Sequence, residues 1–272
     1  IDVPAPGLKG APMSECPDAP RPETLLTPDG ASLAYHRRPG RLPGLIFLGG
    51  FASDMTGTKA RALESFAAER GQAFVRFDYQ GHGQSSGAFQ DGDIGQWTRD
   101  ALHVIDSLSD GPQVLVGSSM GGWIMLLAAL ARPGRVGGLL GIAPAPDFTE
   151  DLLWPGLSAE EQATVTREGI YFQPSPYGPP LPITRHLITE GRDHLLLRGP
   201  IPLACPLRIL QGMQDAEVPW RRALTLAETI QATDVEVTLV KDGDHRLSDG
   251  PDLDRLRAQT GDLLDHVAGR AS

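Results

Sequence analysis

Apolar positions along the chain fall into two alternating patterns. Short runs, almost all apolar, occur at LIFLGG (45–50), AFVRFDY (73–79), QVLVGSS (113–119), GGLLGIAPA (137–145), LRILQG (207–212) and VEVTLVKDG (235–243). Between them lie stretches whose apolar residues recur three and four apart: TKARALESFAAERG (58–71), WTRDALHVIDSL (97–108), MGGWIMLLAALARPG (120–134), and 219–231 and 251–267. The first kind reads as buried strands and the second as amphipathic helices. Strands apolar on both faces, alternating with helices, predict an α/β fold: a mostly parallel central sheet covered by helices on both faces, with right-handed crossovers.

The rhythm breaks between 147 and 206, too long an interval for an ordinary connection. LSAEEQATVTREG (157–169) reads as a helix, with Ser158 as N-cap and Glu161 at the capping-box position. IYFQPSPYGPPLP reads as extended and turning, and TRHLITEGRDHLLL (184–197) as helical again. The expected organisation is an α/β core over 23–146 and 207–272, with a small cap at 147–206 inserted after a core strand. Residues 1–22 are Pro-rich and stand outside the fold reading. The chain opens on Ile1, with Met13 as one candidate for a natural start and a genuine N-terminal arm as the other.

Charge narrows the classes. With 24 basic and 34 acidic side chains the net charge is −10, the wrong sign for a nucleic-acid footprint or an anionic membrane surface. No apolar run approaches the roughly 18–20 residues of a membrane span. The two cysteines, Cys16 and Cys205, are too few for a disulfide scaffold. They read as free thiols in a reducing compartment, a disulfide between them being the alternative. With no signal-peptide pattern at the N-terminus, a cytoplasmic location is expected. Composition leaves the oligomeric state open.

The chemistry concentrates at VGSSMGGW (116–123), where Gly117-Ser118-Ser119-Met120-Gly121 matches G-x-S-x-G with Ser119 at the centre. Alone, this pattern also describes a tight structural turn. Here an apolar strand precedes it and an apolar helix follows, the context that makes the serine a nucleophile lifted at the carboxyl edge of a sheet. Ser118 is expected to be buried or turned away. A serine hydroxyl needs a base to take its proton. Of seven histidines, His245 stands in KDGDHRLS, directly after the last strand. His194 belongs to the expected cap, and His266 falls near the end of the last helix. For the acid that orients the base, Asp215 follows a buried strand in LRILQGMQDAEVP, and Asp147 is its rival. Asp244, next to His245 in sequence, is expected to point elsewhere. The N–H groups of Met120 and of Phe51, in LGGFASD, are the candidate donors to a developing oxyanion.

Together GSSMG, RFDYQGHGQSSG (76–87), QGMQDAEVP and GDHR resemble the α/β-hydrolase family from about residue 24 to 268. FASDMTGTKA, FDYQGHGQSSG, VGSSMGGW and GMQDAEVPW look closest to the subgroup of bacterial relatives of the mitochondrial palmitoyl-protein thioesterase that also cleaves acyl glucuronides. The resemblance implies the α/β-hydrolase fold, a Ser119–His245–Asp215 triad, no cofactor or metal, and a small-molecule acyl ester or thioester as substrate. Two departures stand out: Leu48-Gly49-Gly50-Phe51 lacks the His-Gly pair common in the family, and no transit peptide is visible. Trp123, Leu153, Trp154, Tyr171 and Phe172 are the expected acyl pocket, the alternative being that they pack the cap onto the core. A perhydrolase, haloperoxidase or lyase on the same scaffold is the rival reaction. A catalytically silent binding module is the rival class. GHGQSSG does not fit a dinucleotide fingerprint, because its third glycine falls late and no helix opens after it.

Overall fold

The computed structural model describes residues 21–174 and 179–270. The N-terminal arm up to residue 20, with Met13 and Cys16, lies outside the described residues. Strands β1 (Glu23–Leu26), β2 (Ser32–Arg38), β3 (Arg41–Leu48), β4 (Gln72–Phe77), β5 (Gln113–Ser118) and β6 (Val136–Ile142) precede the long interval. Helices α1 (Thr58–Arg70), α2 (Ile94–Leu108) and α3 (Met120–Ala131) alternate with the last four of these strands. In the interval lie a π-helical turn at Thr149–Leu153, the short α4 (Trp154–Gly156), α5 (Ala159–Glu168), β7 (Ile170–Gln173), β8 (Leu181–Thr184) and α6 (Arg185–Gly191). The chain closes with β9 (Leu207–Gly212), α7 (Arg221–Thr229), β10 (Val235–Val240) and α8 (Gly250–Arg270).

Eight strands form one sheet in the order β1-β2-β4-β3-β5-β6-β9-β10. From β4 to β10 every pairing is parallel; only β1 with β2 and β2 with β4 are antiparallel. The strand period of two divides the core between the faces. On β3, Ile46 and Leu48 join one buried cluster with Trp97, Val104 and Ile124 of α2 and α3, while Leu45 and Phe47 join another with Leu63, Leu256 and Leu264 of α1 and α8. On β5, Leu115 faces the first cluster and Val114 and Val116 the second. This explains the unbroken apolar runs of the sequence: a strand with helices on both faces has no polar side to show.

The β1–β2 hairpin carried no such run. SLAYHRR buries only Leu33, Ala34 and Tyr35 and ends in charge, because the strand runs out toward solvent at this edge of the sheet. α2 begins at Ile94, three residues before the expected start, because Asp93 caps it by accepting the Gln96 N–H at 2.6 Å. α5 has the expected capping box between Ser158 and Glu161. The helix expected over 184–197 stops at Gly191, with one 3₁₀ turn to His194. Beyond it, Asp147 accepts the N–H groups of Leu196 and Leu197 at 2.7 and 2.8 Å and draws the chain out of helical form. Cys205 is partly buried and has no disulfide partner among the described residues, and burial pushes its thiol up to about 11. No described helix is long and apolar enough to cross a membrane.

The loop after β4 is held by Asp78. Its carboxylate accepts the Met55 N–H at 2.7 Å and the Gln84 N–H at 2.9 Å, and its carbonyl accepts the Ser85 hydroxyl at 2.6 Å. Burial pushes this carboxyl upward against those hydrogen bonds. Asp78→Ala leaves the N–H of the fully buried Met55 without an acceptor. We expect a loss of about 1–3 kcal/mol, read as a lower urea midpoint at unchanged slope; an unchanged midpoint would show that the carboxylate does not hold this loop.

Candidate active site

β5 ends at Ser118 and α3 starts at Met120, so one residue must reverse the chain. That residue is Ser119, at φ 53° and ψ −118°, a conformation costing on the order of 1–3 kcal/mol for a non-glycine residue. The surroundings impose it. The Ser119 N–H donates to the Ile142 carbonyl at the end of β6 (2.9 Å), and the Ser119 carbonyl accepts from Gly122 (2.9 Å) and Ala145 (3.1 Å). The flanking glycines are required by contact: a Cβ on Gly117 would lie 2.3 Å from the Gly121 carbonyl oxygen, and one on Gly121 only 2.1 Å from that of Leu48. G-x-S-x-G is therefore the residue pattern that lets β3, β5 and the first turn of α3 meet. Ser118 is buried.

The loops after β9 and β10 bring two further groups to Ser119. His245 Nε2 lies 3.1 Å from Ser119 Oγ, and Nδ1 lies 2.8 Å from Asp215 Oδ2. An ionised carboxylate only accepts, so Nδ1 carries the proton, and the serine hydroxyl donates to Nε2. The Asp215 side chain is wholly buried. Its Oδ2 also accepts from Gln211 Nε2 (2.9 Å), and Oδ1 accepts from the N–H groups of Glu217 (2.9 Å) and Val218 (2.8 Å). Burial pushes the carboxyl up, but the bonds from His245, Val218 and Glu217 outweigh it and hold it below the usual carboxylate range. Oriented this way, the imidazole can take a proton from Ser119 and later return one.

The other sequence candidates lie elsewhere. Asp147 is fully buried at φ 60° and anchors Leu196 and Leu197, with Arg198 at 3.4 Å. Asp244 accepts the N–H groups of Arg246 and Leu247. His194 pairs with Glu190 (2.6 Å), His186 with Asp93 (2.8 Å) and His266 with Asp234 (3.3 Å). His82 is caged by Tyr79, Phe89 and Trp97, and burial pushes it down to about 4. Met120 opens α3, so its N–H has no intrahelical acceptor. Phe51 follows Gly50, where a Cβ would lie 3.5 Å from that of Ser119, and its ring is wedged among Phe89, Trp97 and Phe148.

Ser119 and His245 open on a cavity of about 500 Å³. Phe47, Phe51, Pro179 and Leu181 form its apolar wall; Ser53, Thr58, Lys59, Glu217, Arg246 and Ser248 form its polar one. Here the expected acyl pocket needs correction, because none of its five residues lines this cavity. Trp123 is fully buried, donates Nε1–H to the His194 carbonyl (3.1 Å) and meets Phe148 edge-on. Leu153, Trp154 and Tyr171 pack with Leu157, Val165, Ile183 and Ile188 in a small core that also takes in Phe51 and Leu181 of the cavity wall, and Phe172 is 55% exposed. A segment with its own helices and hairpin uses its apolar side chains first to hold itself together.

Sequence reasoning passed over Glu217 and Lys59. Glu217 Oε2 approaches His245 Nε2 at 3.5 Å from the solvent side; its signal was its place two residues after Asp215. Lys59 lines the cavity from the first turn of α1, and nothing in GTKA marks it apart from an ordinary surface lysine.

A family model described as Serine aminopeptidase, S33 (Hydrolase_4) matches residues 44–168. The chain is 42% identical over 246 residues to the mitochondrial palmitoyl-protein thioesterase ABHD10 of Homo sapiens, covering 90% of this chain and 80% of that one. The solved structure of mouse alpha/beta hydrolase domain-containing protein 10 superposes with TM-score 0.84 at 41% identity, covering 90% of this chain and 99% of that chain. A structure from Agrobacterium vitis S4, described as a hydrolase, gives TM-score 0.86 at 43% identity, covering 90% and 100%.

The crowding at the elbow has a direct test. In Gly121→Ala the new methyl meets the Leu48 carbonyl, and overpacking against backbone costs about 3 kcal/mol or more. For a chain of this size that is a fall of roughly 6–12 °C in Tm, measured by circular dichroism. An unshifted Tm would mean that the elbow relaxes easily.

Proposed function

We propose that this chain, which belongs to the α/β-hydrolase family of serine hydrolases, cleaves carboxylic esters or thioesters through an acyl-enzyme formed on Ser119. One observation carries the reading: a single imidazole bridges Ser119 Oγ at 3.1 Å and the buried Asp215 at 2.8 Å. The palmitoyl-protein thioesterase relatives support an acyl substrate, as does an apolar wall of Phe47, Phe51, Pro179 and Leu181 beside the hydroxyl.

In this reading Ser119 Oγ attacks the acyl carbonyl while His245 Nε2 takes its proton. The carbonyl oxygen becomes an oxyanion, received by the N–H groups of Met120 and Phe51. Collapse breaks the bond to the leaving oxygen or sulfur, which takes the proton from His245. Water, deprotonated by the same imidazole, then attacks the acyl-enzyme and releases the acid and free Ser119. Asp215 stays ionised throughout, holding the imidazole in the tautomer that exposes a basic Nε2 and stabilising its charged form. Residues 147–206 serve as a cap that contributes Pro179 and Leu181 to the cavity.

Turnover of p-nitrophenyl esters from acetyl to palmitoyl tests the reading and locates the preferred chain length. Ser119→Ala should lower kcat by on the order of 10⁶ and abolish labelling by a fluorophosphonate; retained turnover would overturn the assignment. Asp215→Asn should lower kcat by on the order of 10⁴ with little change in KM, because an amide favours the wrong tautomer. Because its hydrogen bonds hold Asp215 below the usual carboxylate range, it stays charged through the neutral range. Its removal should therefore depress the whole pH–rate profile, and activity recovering to the wild-type level at any pH between 5 and 9 would exclude Asp215 as the acid.

A further inference from the structure

His245 rides on a loop, 241–249, with no regular structure. The half before it is stitched to the neighbouring loop: the Met213 N–H donates to the Val240 carbonyl at 2.8 Å, and the Gln214 N–H to that of Gly243 at 2.9 Å. The half after it turns back at Leu247, whose backbone sits at φ 45° and whose side chain is buried in the core under α1 and α8. Across the cavity, the polar tie to this second half is Lys59. Its Nζ donates to the carbonyl of Arg246, the residue next to His245, and approaches Ser248 Oγ at 3.4 Å.

We propose that Lys59 is a positioning residue: its ammonium ties the loop that carries His245 to the first turn of α1 and so fixes the imidazole against Ser119. The proposal rests on the reading of Ser119 as nucleophile. Three observations support it. Lys59 is half-buried, and among the described residues no carboxylate lies within ion-pair distance of it; both acceptors are neutral oxygens of the base-carrying loop. α1 begins directly after the 48–57 loop that holds Phe51, so the tie spans the cavity from the candidate oxyanion loop to the candidate base. The charges facing the ammonium are Arg246, which repels it, and Asp244 of the loop and Asp252 of α8, which attract it from beyond ion-pair distance. Burial, followed by the Arg246 charge, pushes Lys59 down to about 8, so the tie loses its charge in an accessible range.

The test compares wild type, Lys59→Met and Lys59→Arg on p-nitrophenyl butyrate and on its carboxylated counterpart, mono-4-nitrophenyl glutarate. Lys59→Met should lose roughly 10- to 100-fold in kcat on both esters, as small misplacements of a catalytic group do, with KM changed less than about twofold. Lys59→Arg should retain most of the rate. Wild-type kcat should fall as pH rises through about 8, and that limb should be absent below pH ~10 in Lys59→Arg, whose guanidinium stays charged. An unchanged kcat in Lys59→Met would overturn the proposal. So would a loss confined to KM for the glutarate ester, which would make Lys59 a contact for a substrate anion. Melting curves separate misfolding of the Met variant from misplacement. If wild type turns over neither ester, the proposed reaction fails by itself. Fluorophosphonate labelling of Ser119 and amide exchange over 243–249 then decide on Lys59: both should change in Lys59→Met, with slower labelling and faster exchange, and no change in either overturns the tie.

Discussion

Everything at this site depends on one close approach of backbones. β3 and β5 lie side by side in parallel register, from Gly44 with Gln113 to Leu48 with Gly117. At their carboxyl ends the first turn of α3 presses against the Leu48 carbonyl, with room for hydrogen but not carbon on Gly121. That contact forces the reversal into one residue and places the Ser119 backbone at positive φ. The core makes the strain sustainable. β5 is buried along its whole length, and Met120, Trp123 and Ile124 of α3 are fully buried, so any relaxation of the elbow would open the packing on both sides of the sheet.

Parallel topology then determines where the partners of Ser119 arise. β9 and β10 pair in register from Leu207 with Val235 to Gly212 with Val240, so their following loops emerge together on the edge that carries the elbow. Asp215 and His245 are thus neighbours although 30 residues separate them. The same short loop after β9 yields two carboxylates of opposite character. Asp215 is enclosed by donors and held ionised, whereas Glu217, half exposed, touches the imidazole only at 3.5 Å. Solvent screening makes the second interaction weak, so the charge that orients His245 is the buried one.

What the sequence made legible follows from how local each signal is. Strands covered on both faces announce themselves, because no position in them is free to be polar. The elbow is legible for a similar reason: five consecutive residues meet a steric demand that few other residues satisfy. The β1–β2 hairpin lies at a solvated edge and left only a short apolar stretch at Leu33–Tyr35. The start of α2 was misplaced because Asp93, rather than the apolar period, sets it. Lys59 was illegible for a different reason. Its meaning lies in acceptors 187 and 189 residues away, and no window of sequence holds both ends of such a bond.

The misreading of the acyl pocket carries the same lesson into function. The cap segment looked like a pocket wall because it is rich in apolar side chains, but a segment of that size must first bury its own. Val165 and Ile183 are nearly inaccessible within it, and Leu153, Trp154 and Tyr171 pack around them. Among the described residues, its share of the cavity wall is Pro179 and Leu181; the rest comes from the core, and most of it from the loop and helix start at 50–60. That stretch holds the Phe51 ring on the apolar side and Lys59 on the polar side, and it passes within contact distance of Ser119 at Gly50. In the proposed reading, selectivity and chemistry therefore share one short piece of backbone. A change that widens the apolar wall at Phe51 also disturbs the aromatic cluster with Phe89, Trp97 and Phe148 that holds the loop beside Ser119.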